Sequence, residues 1–407
     1  MSESIIIIGA GQAAAQAVQS LRAEGFSGDI RLIGEEPYAP YQRPPLSKKF
    51  LAGEIEYDRL LLKPESFYAD ANVTAMWGVR VNEIYPKAKE VETNDGQKFS
   101  YGQLLIATGT RVREINVPGF DLEGVHYLRS IDDVLALQSQ LKSGAKLAIV
   151  GGGYIGLEVA AVARKRGVDV TVLETADRVM ARVVDPSVSH FYERVHAEEG
   201  VNIRTGVTVA GFEGKTRIEA VSSSDDERIA CDFALVGIGV IPNVELAEAA
   251  GLEIRNGIVV DEFTRTSDPD IFAAGDCTNH PNGIYGHRLR LESVHNAIEQ
   301  GKTAAASMTG KHKPYSQVPW FWSDQYDLKL QIAGLSAGYT QAVTRGNPAA
   351  GRSFAVYYLK DGVLIAVDAI NRPGEFMTGR MLIAQGARLD PARIADENIH
   401  VKEIATV

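Results

Sequence analysis

Two glycine-bearing stretches carry the residue types and spacing that hold phosphate. The first, Gly9-x-Gly11-x-x-Ala14, follows the apolar run Ile5–Ile8 and opens a segment rich in Ala and Gln that reaches about Arg22. In such a turn the first glycine permits the tight bend and the second lets backbone approach a pyrophosphate. The small third residue lets helix and strand pack closely. The helix that follows offers unpaired N–H groups and a positive dipole end to an anion. A further apolar run, Ile30–Ile33, leads to Glu35, which lies 24 residues beyond Gly11. That is close to the spacing of an acid that hydrogen-bonds an adenosine ribose. The second copy is a complete GxGxxG at Gly151, Gly153 and Gly156, preceded by the run Lys146–Val150. After a helix to about Arg166, the strand Val168–Leu173 ends at Glu174, 21 residues beyond Gly153. An acid there accepts the ribose hydroxyls of NADH and repels the 2′-phosphate of NADPH. The nearest downstream arginine is Arg178 and none directly follows Glu174, which favours NADH.

A GxGxxA read alone is also a packing turn. Strand, turn, helix, second strand and acid in that order, twice, point instead to duplicated doubly wound α/β domains. Three more apolar runs enter glycine turns: Leu104–Gly109, Ala234–Gly239 and Ile271–Gly275. From Trp320 the pattern changes to alternating apolar and polar residues (Lys329–Ala333, Ser353–Leu359, Gly362–Ile370), then a helix expected over Glu375–Gln385. This predicts a C-terminal antiparallel α+β domain. Ser222–Glu227 reads as a solvated hairpin turn.

The 407 residues are too many for one ordinary core, and 45% hydrophobic with 23% charged is a globular composition. No apolar run approaches the ~20 residues that span a bilayer, and the start lacks the marks of a targeting peptide, so a cytoplasmic protein is expected. A net charge of −10 argues against a nucleic-acid partner. Only Cys231 and Cys277 are present, with no metal-ligand cluster, so neither a disulfide framework nor a metal site is expected.

Two dinucleotide sites in one chain call for different occupants; FAD first and NADH second is the order that a flavoprotein with two dinucleotide domains would show, and further motifs bear on it. The stretch Thr266–Asp276 ends a strand in Gly275-Asp276, where an acid can hydrogen-bond a ribityl hydroxyl; an Asx turn is the plainer reading of the same residues. Together with Arg43–Lys48, Ala107-Thr108-Gly109, Val150–Glu158, Gly237–Asn243, Glu292-Ser293-Val294, Trp320–Gln325 and Asn371-Arg372-Pro373, the chain resembles the putidaredoxin reductase family of NADH-dependent ferredoxin reductases. The likeness runs over essentially the whole chain. Its glycine motifs are shared with a wide flavoprotein group that includes glutathione reductase and apoptosis-inducing factor. Pro-Pro-Leu-Ser-Lys and Phe-Trp-Ser-Asp-Gln are more specific.

The resemblance implies two Rossmann-like domains of glutathione-reductase type plus the C-terminal α+β domain. Their expected limits are 1–110 and 242–319 for non-covalent FAD, 111–241 for NADH, and 320–407 for the last. It implies FAD contacts at Ala13, Glu35, Lys48, Val81, Arg129, Asp276 and Val294, with Ala107, Thr108, Gly109 and Gly275 in the same cradle and Trp322 near the isoalloxazine. It places NADH over Gly151, Gly153, Tyr154, Ile155 and Gly156, with Glu174 on its ribose and Gly239 nearby. The implied reaction is hydride transfer from NADH to FAD, then single electrons to a [2Fe–2S] ferredoxin serving a cytochrome P450. A ferredoxin of an aromatic-ring dioxygenase is the alternative acceptor. A non-catalytic, NADH-sensing flavoprotein similar to apoptosis-inducing factor is the alternative class.

Among single residues, Lys48 is expected near the flavin with Glu158 as its partner; two separate surface charges are the alternative. His295 reads as a packing or hydrogen-bonding residue. Arg288, Arg290, Lys302, Lys311 and Lys313 are either a ferredoxin-docking patch or a solvated face. Disulfide chemistry needs a thiol early in the chain, and none precedes Cys231, so the chain is expected to work by flavin alone.

Overall fold

The structure, a computed structural model, describes residues 4–405. It divides into two compact units. One comprises the chain up to Gln42 with Tyr57–Arg111 and Ile241–Pro319; the other comprises Arg43–Glu56, Val112–Val240 and the chain from Trp320.

In the first unit the isoleucine run forms the central strand Ser4–Ile8 of a five-stranded parallel sheet. The strand order is Ile271–Ala273, Gln103–Ile106, Ser4–Ile8, Asp29–Gly34, Val73–Trp77. Both faces are covered, which is why the strand is apolar throughout rather than alternating. Ile5 and Ile7 share a core with the helices Gln12–Ala23 and Val294–Met308. Ile6 and Ile8 face the other way, into a core with the antiparallel strands Val81–Tyr85 and Glu90–Thr93.

The second unit repeats the design. Its parallel sheet runs Asn202–Thr205, Asp169–Glu174, Lys146–Val150, Phe233–Val236, Val125–His126, and the helix Tyr154–Lys165 follows the central strand. The polar Ser222–Glu227 stretch turns between the antiparallel strands Ile218–Ser223 and Arg228–Ala230. From Trp320 the chain forms a five-stranded antiparallel sheet ordered Trp320–Gln325, Leu328–Gly334, Val363–Ile370, Phe354–Lys360, Gln341–Gly346. The helix Pro373–Ala384 follows. This sheet shares one hydrophobic core with the nucleotide-type layer. Val188, Phe191, Tyr192 and Val195 of the helix Pro186–Glu198 pack with Leu328, Leu330, Phe354, Val356 and Tyr358. Among the described residues no helix is long and apolar enough to cross a membrane.

One buried acid lies in that region. Asp368 is fully buried, accepts a hydrogen bond from the Tyr358 hydroxyl, and its Oδ1 has no partner among the described residues. Burial pushes its carboxyl up to about 7. Between pH 4 and pH 7 the folded chain therefore keeps a proton that the unfolded chain releases, and stability falls as pH rises through that window. The gap between about 7 and the ordinary 3.8 corresponds to ~4 kcal/mol. Asp368→Asn should remove this dependence. Denaturant melts across pH 4–8 should show the variant gaining on the native protein with rising pH, and a constant difference would refute the assignment.

Candidate functional site

Gly9 has φ of +101°, and a Cβ there would lie 2.3 Å from the Ala107 carbonyl oxygen. Gly151 repeats this, with φ of +109° and a Cβ 2.5 Å from the Gly237 oxygen. No side chain fits either position. At the second glycine of each turn the space is the reverse: a Cβ on Gly11 or Gly153 would meet nothing within 4 Å. These two residues are the N-caps of Gln12–Ala23 and Tyr154–Lys165, and neither helix start has a side-chain cap. By contrast, the helices Ile131–Gln138, Pro186–Glu198 and Val294–Met308 are capped by Ser130, Asp185 and Ser293. Open space in front of uncapped N–H groups is what a pyrophosphate requires. Both turns therefore fit a dinucleotide. Gly156 completes the second: a Cβ there would lie 2.2 Å from the Gly151 oxygen, so the helix backs directly onto the turn. Tyr154 and the exposed Ile155 form its first helical residues.

The two acids are held differently. Glu35 is exposed and sits 3.4 Å from the Arg80 guanidinium. Glu174 is clamped: Oε2 accepts the Gly152 N–H at 2.7 Å and Oε1 the Ala176 N–H at 2.8 Å. Each oxygen keeps a further lone pair for a ribose hydroxyl. Arg178 donates to the Val184 and Ala181 carbonyls and the Ser189 hydroxyl. Its guanidinium is committed to the fold.

In the first unit, Ala14 is fully buried against the sheet, and Ala13 lies beneath the Gly275 turn. A Cβ on Gly275 would meet the Ala13 methyl at 3.2 Å, and one on Gly301 would meet the Ala13 carbonyl oxygen at 2.7 Å. Gln300 fixes the Gly275-Asp276 turn, its Oε1 accepting from the Gly275 N–H and the Thr278 hydroxyl. Ala107, Thr108 and Gly109 leave the strand Gln103–Ile106, where Thr108 and Asn243 exchange side-chain hydrogen bonds to each other's carbonyls. Val81 is buried in its strand, and Val294 opens its helix beside buried His295.

In the second unit the structure joins Lys48 to Glu158. The single turn Pro44–Ser47 ends at Lys48, whose Nζ lies 2.6 Å from Glu158 Oε2 and donates to the Pro44 carbonyl. Glu158 is 3% exposed and Lys48 16%. The Ser47 hydroxyl donates to the same carboxylate oxygen, and Ser323 donates to Oε1 at 2.6 Å. The carboxylate is thus fully engaged. The strand Trp320–Gln325 supplies this by alternation. Phe321, Ser323 and Gln325 face Tyr154, Glu158 and His196, whereas Trp320 packs against Phe376 and Trp322 is half-buried beside Trp320. Arg129 accepts from Arg43 through its carbonyl, and Gly239 accepts from the Arg113 N–H. Sequence reasoning quoted Ser323 and Gln325 within a motif but assigned them no role. No local signal marked them, because their role depends on Glu158 and His196, which are distant in sequence.

The five basic residues have local partners. Arg288 is a strut donating to Val260 and Asn279, Arg290 pairs with Glu292, Lys302 with Glu299, and Lys311 and Lys313 both with Glu24. Both cysteines are buried, and burial pushes the Cys231 thiol up to about 12 and the Cys277 thiol up to about 11. Neither is a reactive thiolate.

Duplicated, uncapped glycine turns with an acid after each define a protein built for two dinucleotides. The chain belongs to the pyridine nucleotide-disulphide oxidoreductase family, which it matches over residues 3–301, with a reductase C-terminal domain over residues 320–405. The family is one of flavin- and nicotinamide-dependent enzymes. The chain is 45% identical to the probable ferredoxin reductase CtmF of Castellaniella defragrans, covering 99% of each chain. It is 42% identical to putidaredoxin reductase CamA of Pseudomonas putida, over 99% of this chain and 97% of that one. The crystal structure of the covalent putidaredoxin reductase–putidaredoxin complex is similar at a TM-score of 0.96 and 42% identity, covering 99% and 98% of the two chains. Reductase components of anthranilate and chlorobenzene dioxygenase systems are also among the relatives.

The tight seat of Gly156 gives a direct test of the second turn. Gly156→Ala should cost about 1–3 kcal/mol of stability, as overpacking against backbone does. Chemical denaturation reads this, and an unchanged midpoint would show that the helix can move off the turn freely.

Proposed function

We propose that this chain is a cytoplasmic, FAD-dependent NADH:ferredoxin oxidoreductase. In this reading residues 1–110 and 242–319 hold FAD non-covalently, 111–241 hold NADH, and 320–407 form the C-terminal domain. The observation that carries it is the buried Lys48–Glu158 pair in a chain that has two phosphate-ready turns and no reactive thiol. The wider family's disulfide chemistry has no residue here to perform it. What the flavin supplies when bound is two-electron uptake from NADH and one-electron release to a [2Fe–2S] ferredoxin. The residues bind and orient. Gly9, Gly11 and the N-terminus of Gln12–Ala23 take the FAD pyrophosphate, with Glu35 at its ribose and Asp276 at its ribityl chain. Lys48, fixed by Glu158 and the Pro44 carbonyl, would offer a stationary positive charge to the flavin, and Trp322 would be a further residue to hold it. A fixed charge in a water-poor site stabilises developing negative charge without reorganisation.

The partner is a ferredoxin, as the relatives' names support, and we assign the terminal enzyme as a cytochrome P450. Dioxygenase components among the relatives favour the second acceptor strongly enough to keep it in the test. NADH-driven reduction of a panel of both ferredoxin types decides between them. The same stopped-flow experiment tests the class: flavin reduction by NADH should be fast, and Lys48→Met should slow it about tenfold or more, ~1.4 kcal/mol of barrier. An unchanged rate in the variant would remove Lys48 from the site. Very slow reduction of the native protein, with a long-lived charge-transfer complex, would favour an NADH-sensing flavoprotein.

Glu174 sets the nucleotide. Losing hydrogen bonds to a charged acceptor costs about 1.5–3 kcal/mol, so Glu174→Ala should weaken NADH binding roughly tenfold to a hundredfold. NADPH should not gain in return beyond relief of repulsion, because Arg178 is held by the fold. Titration of the reduced nucleotides reads both, and a variant that binds NADPH as tightly as the native protein binds NADH would overturn the assignment.

A further inference from the structure

Behind the Lys48–Glu158 pair runs a chain of buried polar side chains that nucleotide binding does not require. Ser323 donates to Glu158 Oε1 at 2.6 Å, and Gln325 Nε2 donates to the Ser323 hydroxyl at 3.1 Å. Gln325 Oε1 then faces His196 Nε2 at 2.8 Å, and the Tyr326 hydroxyl lies 3.3 Å from His196 Nδ1. Ser323, Gln325 and His196 are each at most 1% exposed.

The direction of every bond follows from its end. An ionised carboxylate only accepts, so Ser323 must donate to it. The serine oxygen then accepts from the Gln325 amide, which turns the amide oxygen toward His196. His196 must carry its proton on Nε2, leaving Nδ1 to accept from Tyr326. Burial holds His196 below its ordinary value, in keeping with that neutral tautomer. All the donors in the row point one way, and the row ends on Glu158.

Two features separate this row from ordinary filling of space. Leu157, Tyr192, Leu328 and Leu330 form the core around it, where apolar residues would pack without needing partners. In addition, Tyr326 has φ of +55°, a left-handed conformation that a tyrosine adopts only at a steric cost. It occupies the two-residue turn between Gln325 and Leu328, where Gly or Asn is the usual choice. That conformation sets its ring 5.1 Å from the His196 ring, with the hydroxyl on Nδ1.

We propose that Tyr326, His196, Gln325 and Ser323 form a one-way hydrogen-bond relay that orients the Glu158 carboxylate and thereby positions the Lys48 ammonium. These are positioning residues, acting through Glu158. The proposal rests on the reading that Lys48 serves the flavin, and it adds what holds Lys48 there. With Ser323 gone, Oε1 loses the hydroxyl that donates to it and the carboxylate is free to turn, carrying Lys48 with it.

The test is a double-mutant cycle on the FAD-loaded enzyme, reading the flavin midpoint potential by spectroelectrochemistry, the rate of reduction by NADH, and the melting temperature. Lys48→Met should lower the potential, because a positive charge favours electrons on the ring. Ser323→Ala and His196→Phe should shift it in the same direction by less and slow reduction roughly threefold to tenfold. In the Lys48→Met background neither should shift it further, and Ser323→Thr, which keeps the hydroxyl, should restore it. A lowered melting temperature with an unmoved potential in both single variants would overturn the relay and leave Lys48 in place. Additive shifts in the Lys48→Met background would also overturn it. An unmoved potential in Lys48→Met itself would remove Lys48 from the flavin and the relay with it.

Discussion

A carboxylate 97% hidden from water must have its charge and lone pairs answered inside the protein, and Glu158 sets that condition for a whole unit. Its answers come from two stretches far from it in sequence: Ser47 and Lys48 from the Arg43–Glu56 segment, and Ser323 from the first strand of the C-terminal sheet. Removing any one would leave a buried charge partly bare. This explains why Arg43–Glu56 belongs to the compact unit of Val112–Val240 although it sits in sequence between two pieces of the other unit. Gln138 and Arg166 add to the same attachment by donating to the Phe50 and Leu51 carbonyls.

The C-terminal sheet is tied to the nucleotide-type layer by the same logic. Its strand Trp320–Gln325 turns Phe321, Ser323 and Gln325 toward that layer, and the apolar core behind them continues from Leu157 to Tyr358. Polar and apolar contacts thus agree on one register. A slip of one residue would put Trp320, Trp322 and Asp324 against Glu158, an arrangement with no hydroxyl for Oε1. Register and charge satisfaction enforce each other, which is the consistency across levels that specifies a single fold.

Much of this was legible in the sequence because its signals are local. The glycine turns, the following helices and the acids occupy a few dozen residues each, and strand periodicity marks Ile5–Ile8 and Lys329–Ala333 without reference to anything distant. The Lys48–Glu158 pairing was legible only through family likeness, since 110 residues separate the two and no periodicity links them. The Ser323–Gln325–His196 row was not legible. Each member is an ordinary polar residue until the fold buries it. Asp368 was hidden similarly: in Val-Asp-Ala-Ile an acid within an alternating strand suggests a solvent face, whereas here both faces are covered.

The two glycine turns show how one local design is adapted without altering its backbone. Gly9 and Gly151 have nearly the same left-handed φ and the same close approach to a carbonyl oxygen, and both helices start uncapped. The difference lies in the acid. Among the described residues Glu35 is held by an exposed guanidinium, an interaction worth little on its own in water. Glu174 is fixed by two backbone N–H groups, one of them from the glycine turn itself. A preset acceptor lowers the entropy cost of each binding event, which suits a substrate that must come and go with every turnover. A cofactor that stays bound meets that cost once, so an acid that orders around it suffices. The asymmetry between Glu35 and Glu174 therefore runs in the direction expected if the first turn keeps its dinucleotide and the second exchanges it.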